Sequence, residues 1–181
     1  MSLASRAGSF NLTRRTKMSV SNLDELFLHH LKDTYDAEKQ LAKALPKLAK
    51  AAGSEELKAA FTAHAEQTAV QIERLEQIFE MLDKPARGKK CMGMQGLVEE
   101  GKEVMEEDSP ESVMDAGLIA AAQKAEHYEI AAYGTMATYA KMLGMKDALR
   151  LLKETLSEEK ATDEKLSALA AAINFEAQNA D

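Results

Sequence analysis

Displaced by 91 residues, the first half of the chain falls onto the second, and this relation restricts the fold more than any other feature. Gly53 lands on Gly144, Glu38 on Glu129, Ala49-Lys50 on Ala140-Lys141, and Glu73-Arg74-Leu75 on Glu164-Lys165-Leu166. Phe61 meets Leu152, and Leu41 meets Ala132. Both glycines stand where a helical pattern stops. A unit that cannot bury its own apolar face, present twice, stacks against its copy. Two helical hairpins of common pattern predict an all-α, antiparallel four-helix bundle with pseudo-twofold symmetry. Chance agreement between alanine-rich helices is the alternative; the paired glycines and paired seam glutamates argue against it.

Local signals define the elements. A first helix is predicted over 22–52, with Asn22 and Glu25 as a capping pattern, Gly53 as its stop and Pro46 as a bend. A second runs over 55–82, capped by Ser54. Residues 83–109 form the single long crossover and carry a short helix near 97–107. A third long helix spans 110–143, with Pro110 at its first position and Gly144 after it. A fourth covers 146–173. The domain plan is therefore a basic leader over 1–21, a bundle over 22–173 and a tail over 174–181. Within the bundle, 22–82 and 110–173 are the two hairpins.

The apolar seams of these helices turn polar midway. Ile119, Ala122, Ala125, Glu129, Ala132, Met136 and Ala140 recur at steps of three and four, so Glu129 lies on the face that should be buried. Glu126 is one turn before it. Glu38 interrupts the seam Leu31, Thr34, Leu41, Leu45 in the same way. On the second helix, His64, Thr68 and Gln71 are polar in succession, and Gln67 borders them. Glu158 and Glu159 occupy the polar middle of the fourth helix, beside Thr155 and Thr162. A buried, unpaired carboxylate costs several kcal/mol, so two readings stand open for each helix alone. Either the glutamates form interior ion pairs or face water, or they converge on a metal. Convergence in a bundle favours a cation, because clustered carboxylates repel. Oxygen-rich ligands with at most one imidazole suit Fe or Mn better than structural Zn.

Composition excludes other classes. Residues 1–20 carry Arg6, Arg14, Arg15 and Lys17 and no acid, so the net charge of −7 leaves −11 on the remainder, which argues against nucleic acid. The leader is basic and acid-poor like a transit segment, but a simple tail, or a start at Met18, is the preferred reading. One cysteine, Cys91, rules out an intrachain disulfide and fits a reducing, cytoplasmic setting. No apolar run reaches the roughly 20 residues of a membrane span.

Three segments carry a resemblance: Asp33-Thr34-Tyr35-Asp36-Ala37-Glu38-Lys39-Gln40-Leu41, Ala125-Glu126-His127-Tyr128-Glu129-Ile130-Ala131-Ala132-Tyr133-Gly134-Thr135, and Glu158-Glu159-Lys160-Ala161-Thr162-Asp163. With Cys91-Met92-Gly93-Met94-Gln95-Gly96-Leu97 in the crossover, they resemble the YciE/YciF family of bacterial stress proteins over residues 22–173. The resemblance implies a ferritin-like, rubrerythrin-like bundle, a homodimer, and a di-metal site usually taken to be iron. At the expected level of the bundle, the candidate metal residues are Glu38, His64, Gln67, Glu126, Glu129 and Glu158. A small rotation of the fourth helix would exchange Glu158 for Glu159. The family commonly has Glu where this chain has Gln67, and some members have His at Gln71, so the half-site on the second helix is expected to be weaker. Two functions follow as expectations. One is iron or peroxide handling by two-metal activation of O2 or peroxide, as a ferroxidase or peroxide-reducing oxidoreductase. The other is a structural or interaction dimer that keeps a degenerate site. Tyr35, Tyr128 and Tyr133 read as packing residues with hydroxyl partners, and His29, His30 and His127 as surface.

Overall fold

The computed structural model describes residues 20–180; the 1–21 leader expected from sequence lies almost entirely outside them. Five helices follow in order: α1 Leu23–Ala51, α2 Glu55–Met81, α3 Met92–Glu106, α4 Glu111–Met142 and α5 Lys146–Gln178. No strand occurs among the described residues. The four long helices form a ring in which α1 touches α2 and α4, and α5 touches α2 and α4. Every neighbouring pair is antiparallel. Phe27 at the start of α1 shares a core cluster with Met136 near the end of α4, and Leu48 shares one with Leu118. The predicted bundle and its single crossover are both present. No described helix is long and apolar enough to cross a membrane.

Burial supports the 91-residue relation position by position. Phe27/Leu118, Leu31/Ala122, Glu38/Glu129, Leu45/Met136, Leu57/Ala148, Phe61/Leu152 and Leu75/Leu166 are buried at both members. The two helix-ending glycines, however, work differently. Gly144 has φ +71 and takes the left-handed turn that stops α4. Gly53 does not; a Cβ there would collide with the side chain of Glu111. Its N–H and that of Ser54 each donate to the buried carboxylate of Asp115, both at 2.8 Å, which ties the α1–α2 turn to α4.

Two boundaries differ from expectation. The crossover helix begins at Met92, not near 97, because the chain is anchored there. Cys91 N–H donates to Asp36 (2.8 Å), Gln40 donates to the Cys91 carbonyl (3.0 Å), and the Cys91 sulfur accepts from Met94 N–H (3.4 Å). From this anchor α3 lies across α1 and α4. At the other end, α5 continues to Gln178 past the expected limit of Ile173. Residues 174–178 hold no glycine or proline to stop it, although most of that turn is exposed. Pro46 sits inside α1 without ending it, on an exposed face where the lost backbone donor costs least.

Candidate metal centre

Two apolar clusters fill the ends of the bundle. One contains Phe27, Leu31, Leu75, Phe79, Met136 and Leu152; the other contains Leu41, Leu45, Leu57, Phe61, Leu118 and Ile173. Between them lies a polar layer of Glu38, His64, Thr68, Gln71, Glu126, Glu129, Thr155 and Glu159, all buried. The apolar periodicity on either side forces this placement. With Leu31 and Leu45 inward, the helical step leaves Glu38 no exposed position.

One ligand atom from each of His64, Glu126, Glu129 and Glu159 lies within 4.8 Å of the others. Glu38 adjoins this group from α1 and accepts a short hydrogen bond from the hydroxyl of Tyr133. His64 Nε2 stands 3.0 Å from Glu126 Oε1, yet neither ring nitrogen makes a hydrogen bond of satisfactory geometry. As ionised groups, both oxygens of Glu129 and one each of Glu38, Glu126 and Glu159 are likewise buried without a partner; protonated, Glu129 can pair with Glu38 and Glu159 with Glu126. Buried polar atoms of this kind are normally satisfied, and each orphan costs about 1–3 kcal/mol or more. Four such carboxyls in one layer, with no lysine or arginine among them, leave a donor set that fits a cation.

Electrostatics agree. Burial, then the charge of Glu159, pushes Glu38 up to about 8. Burial alone dominates at Glu126, raised to about 7. Glu159 rises to about 9 through burial and the neighbouring Glu126. Burial and the three other carboxyls hold Glu129 well above its ordinary value. Burial lowers His64, so its imidazole is neutral and keeps a lone pair for ligation. Without a cation, the layer holds protons at neutral pH.

The sequence reading of the fourth helix needs correction. Glu158 does not enter the layer; Glu159, the alternative, does. Arg74 takes Glu158 in a two-pronged ion pair, Nη1 to Oε2 at 2.5 Å and Nη2 to Oε1 at 2.8 Å. Burial raises the Glu158 carboxyl, but the hydrogen bonds from Arg74 and Gln71 outweigh it and hold the group low. The fixed planar fork of an arginine rewards such an outward rotation. Gln67 is also peripheral. It is half-buried, its side-chain oxygen accepts weakly from Thr162 (3.5 Å), and it lines a ≈190 Å3 cavity with His64, Glu158 and Leu166. Gln71 is the amide that reaches the layer, donating to Glu159 and to Glu158 (3.1 Å).

His29 and His30, expected at the surface, are half-buried, and the His30 ring packs edge-on against Tyr139. Tyr35 donates to Glu76 (2.6 Å) and Tyr128 to Asp33 (2.9 Å). Exposed His127 pairs with Asp163 at 3.2 Å. The sequence reading gave no role to Asp115, whose isolated place on α4 carries no signal until the α1–α2 turn is seen against it.

Fold and polar layer together define a ferritin-like bundle whose interior His/Glu group could hold a metal ion. The chain belongs to the family described as a domain of unknown function, DUF892, which matches residues 22–178. It is 52% identical to protein YciF of Escherichia coli (strain K12) over 164 residues, covering 90% of this chain and 99% of that protein. The crystal structure of the E. coli stress protein YciF matches with a TM-score of 0.83, over 86% of this chain and 98% of that one. YcfI from Rhodopseudomonas palustris, 42% identical, matches at 0.81 over 83% and 96%. A protein from Xanthomonas campestris pv. campestris, 22% identical, shares the fold at 0.66 over 85% and 94%.

Proposed function

We propose that this protein is a stress-response metalloprotein whose polar layer holds two divalent ions, iron first and manganese as the alternative. Glu38, His64, Glu126, Glu129 and Glu159 are the proposed ligands. The observation that carries this reading is the set of unpartnered carboxyl oxygens in the layer. Fully ionised, the four carboxyls bring a charge of −4, which two divalent cations neutralise; a single cation would leave part of the layer protonated. When bound, iron would supply one-electron chemistry with O2 or peroxide, giving a ferroxidase or a peroxide-reducing activity. The chain's own residues prepare for this. Tyr133 fixes one oxygen of Glu38, and Gln71 fixes one of Glu159, leaving the second oxygen of each free. The two apolar clusters exclude water above and below. The kinship with the E. coli stress protein supports a stress-response setting.

A second reading has a specific observation behind it. Only one imidazole reaches the layer, because Thr155 stands where the repeat would place a partner to His64. The R. palustris relative is provisionally described as a structural protein. On this reading the layer is degenerate and homodimer formation is the function. Exposed Met92 and Met142 on the outer faces would suit such contacts. A homodimer in the cytoplasm belongs to both readings, and nucleic acid to neither. The test is metal content of protein purified without chelator, followed by oxygen uptake on Fe(II) addition. Bound iron with stoichiometric uptake supports the oxidoreductase; metal-free protein without uptake supports the structural reading. Sedimentation at micromolar concentration tests the dimer.

A further inference from the structure

Away from the His64 side, a cavity of ≈270 Å3 opens between α1, α3 and α4. Its walls are apolar: Leu48 from α1, Leu97, Val98 and Met105 from α3, and Ala121 from α4. Gly101 is buried in the floor, where a Cβ would already reach Ala121 and Leu48 at 3.7 and 3.9 Å. The inner end is Glu126. Lys43 and Lys47, one turn apart on α1, line its exposed rim. Neither forms an ion pair among the described residues, while Lys102 on the facing rim is shared by Glu99 (3.2 Å) and Glu106 (3.5 Å). In a chain of net charge −7, two unpaired ammoniums above an apolar recess form a local reversal of sign.

We propose that this groove binds a medium-chain carboxylate, with its hydrocarbon tail running in over Leu48, Gly101 and Ala121 toward Glu126 and its head group on Lys43 and Lys47. Size selects the occupant. The volume is near the lower end of small-molecule pockets, about 300–1,000 Å3, enough for one short chain and too small for a peptide helix. Charge selects the head group, because a neutral or cationic amphiphile leaves the two ammoniums unanswered. The tail gains from leaving water, and that gain does not require metal in the polar layer. The groove ends at Glu126, one of the proposed ligands, so the titration with and without chelator separates the two readings.

Calorimetric titration of octanoate, octanol and octylamine into the intact protein tests the proposal, with and without chelator. Octanoate is expected to saturate at one per chain and to bind about tenfold tighter than octylamine. That preference should shrink with added salt, since the head group meets exposed lysines. The double variant Lys43→Glu/Lys47→Glu should erase the preference and leave octanol unchanged. Ala44→Phe, which directs a ring into the groove from a half-buried position, should weaken both octanoate and octanol. Equal binding of octanoate and octylamine, an unchanged lysine variant, or no saturable binding overturns the proposal. So does sedimentation showing that Ala44→Phe splits a dimer, because a second copy would then fill the groove. Should Ala44→Phe fail to fold, the lysine variant decides alone.

Discussion

The two hairpins share one backbone pattern, yet they give different chemistry to the layer they enclose. Tyr35, Glu38, His64, Thr68 and Gln71 of α1 and α2 correspond to Glu126, Glu129, Thr155, Glu159 and Thr162 of α4 and α5, and of these only Tyr35 and Thr162 lie outside the layer. Only Glu38 and Glu129 are alike. The first hairpin offers one carboxylate and the imidazole, and the second offers three carboxylates and no imidazole. Apolar partners are kept across the repeat because both ends of the bundle must be filled to the same density. Polar partners diverge, and a cation held between the halves, as proposed above, would need only the total donor set. Two ions in such a layer would meet unequal surroundings, one nearer the imidazole and one among carboxylates.

Mutations can break that inequality. Glu129→Ala removes the proposed ligand whose two oxygens both lack partners as an ionised group. Fe(II) affinity should fall by more than the roughly 10–100-fold typical of outer partners, while circular dichroism of the helices stays unchanged. Glu158→Gln breaks the half-buried, two-pronged Arg74 pair but removes no group of the layer, so metal binding should weaken by about tenfold or less, well short of the loss in Glu129→Ala. His64→Thr makes the first hairpin as poor in nitrogen as the second. It should weaken one metal position by about 10–100-fold and bring the two affinities together.

Stability against pH sharpens the comparison further. Carboxyls raised in the folded chain bind protons that the unfolded chain releases, so the layer's contribution to metal-free stability is fully present below the ordinary value of 4.5 and is lost as pH rises. The fall should extend through about 7, 8 and 9, where Glu126, Glu38 and Glu159 titrate. Thermal melts of chelated protein between pH 5 and pH 9, the window those values define, should show Tm declining. Added divalent metal should flatten the curve. Glu129→Ala should also flatten it without metal. The smallest effect belongs to Gln67→Glu. Gln67 sits beside Glu158 at the rim, so titration of this variant should show a change in affinity within about threefold.

How far the sequence carried can be seen at single residues. Glu38 and Glu129 were legible because apolar neighbours at steps of three and four fix their face. Glu159 was not separable from Glu158: one helical residue is about 100° of rotation, and both border the seam. The rotation that decides between them comes from Arg74 on a different helix, a contact no periodicity records. Cys91 shows the same limit. Its anchoring to Asp36 and Gln40 starts α3 five residues early, through partners more than fifty residues away in sequence. The fold was read almost whole because it rests on local pattern repeated twice, while the site's finer membership rests on contacts between elements.

The polar layer, as proposed, is a two-metal site with unequal halves. Anaerobic calorimetric titration of Fe(II) or Mn(II) into chelated wild-type protein and into Glu129→Ala, in buffers of different ionisation enthalpy, tests it most directly. Two equivalents of unequal affinity in the wild type, proton release on binding, and loss of binding in the variant are expected. Wild type and Glu129→Ala binding alike, or wild type binding without proton release, would contradict it.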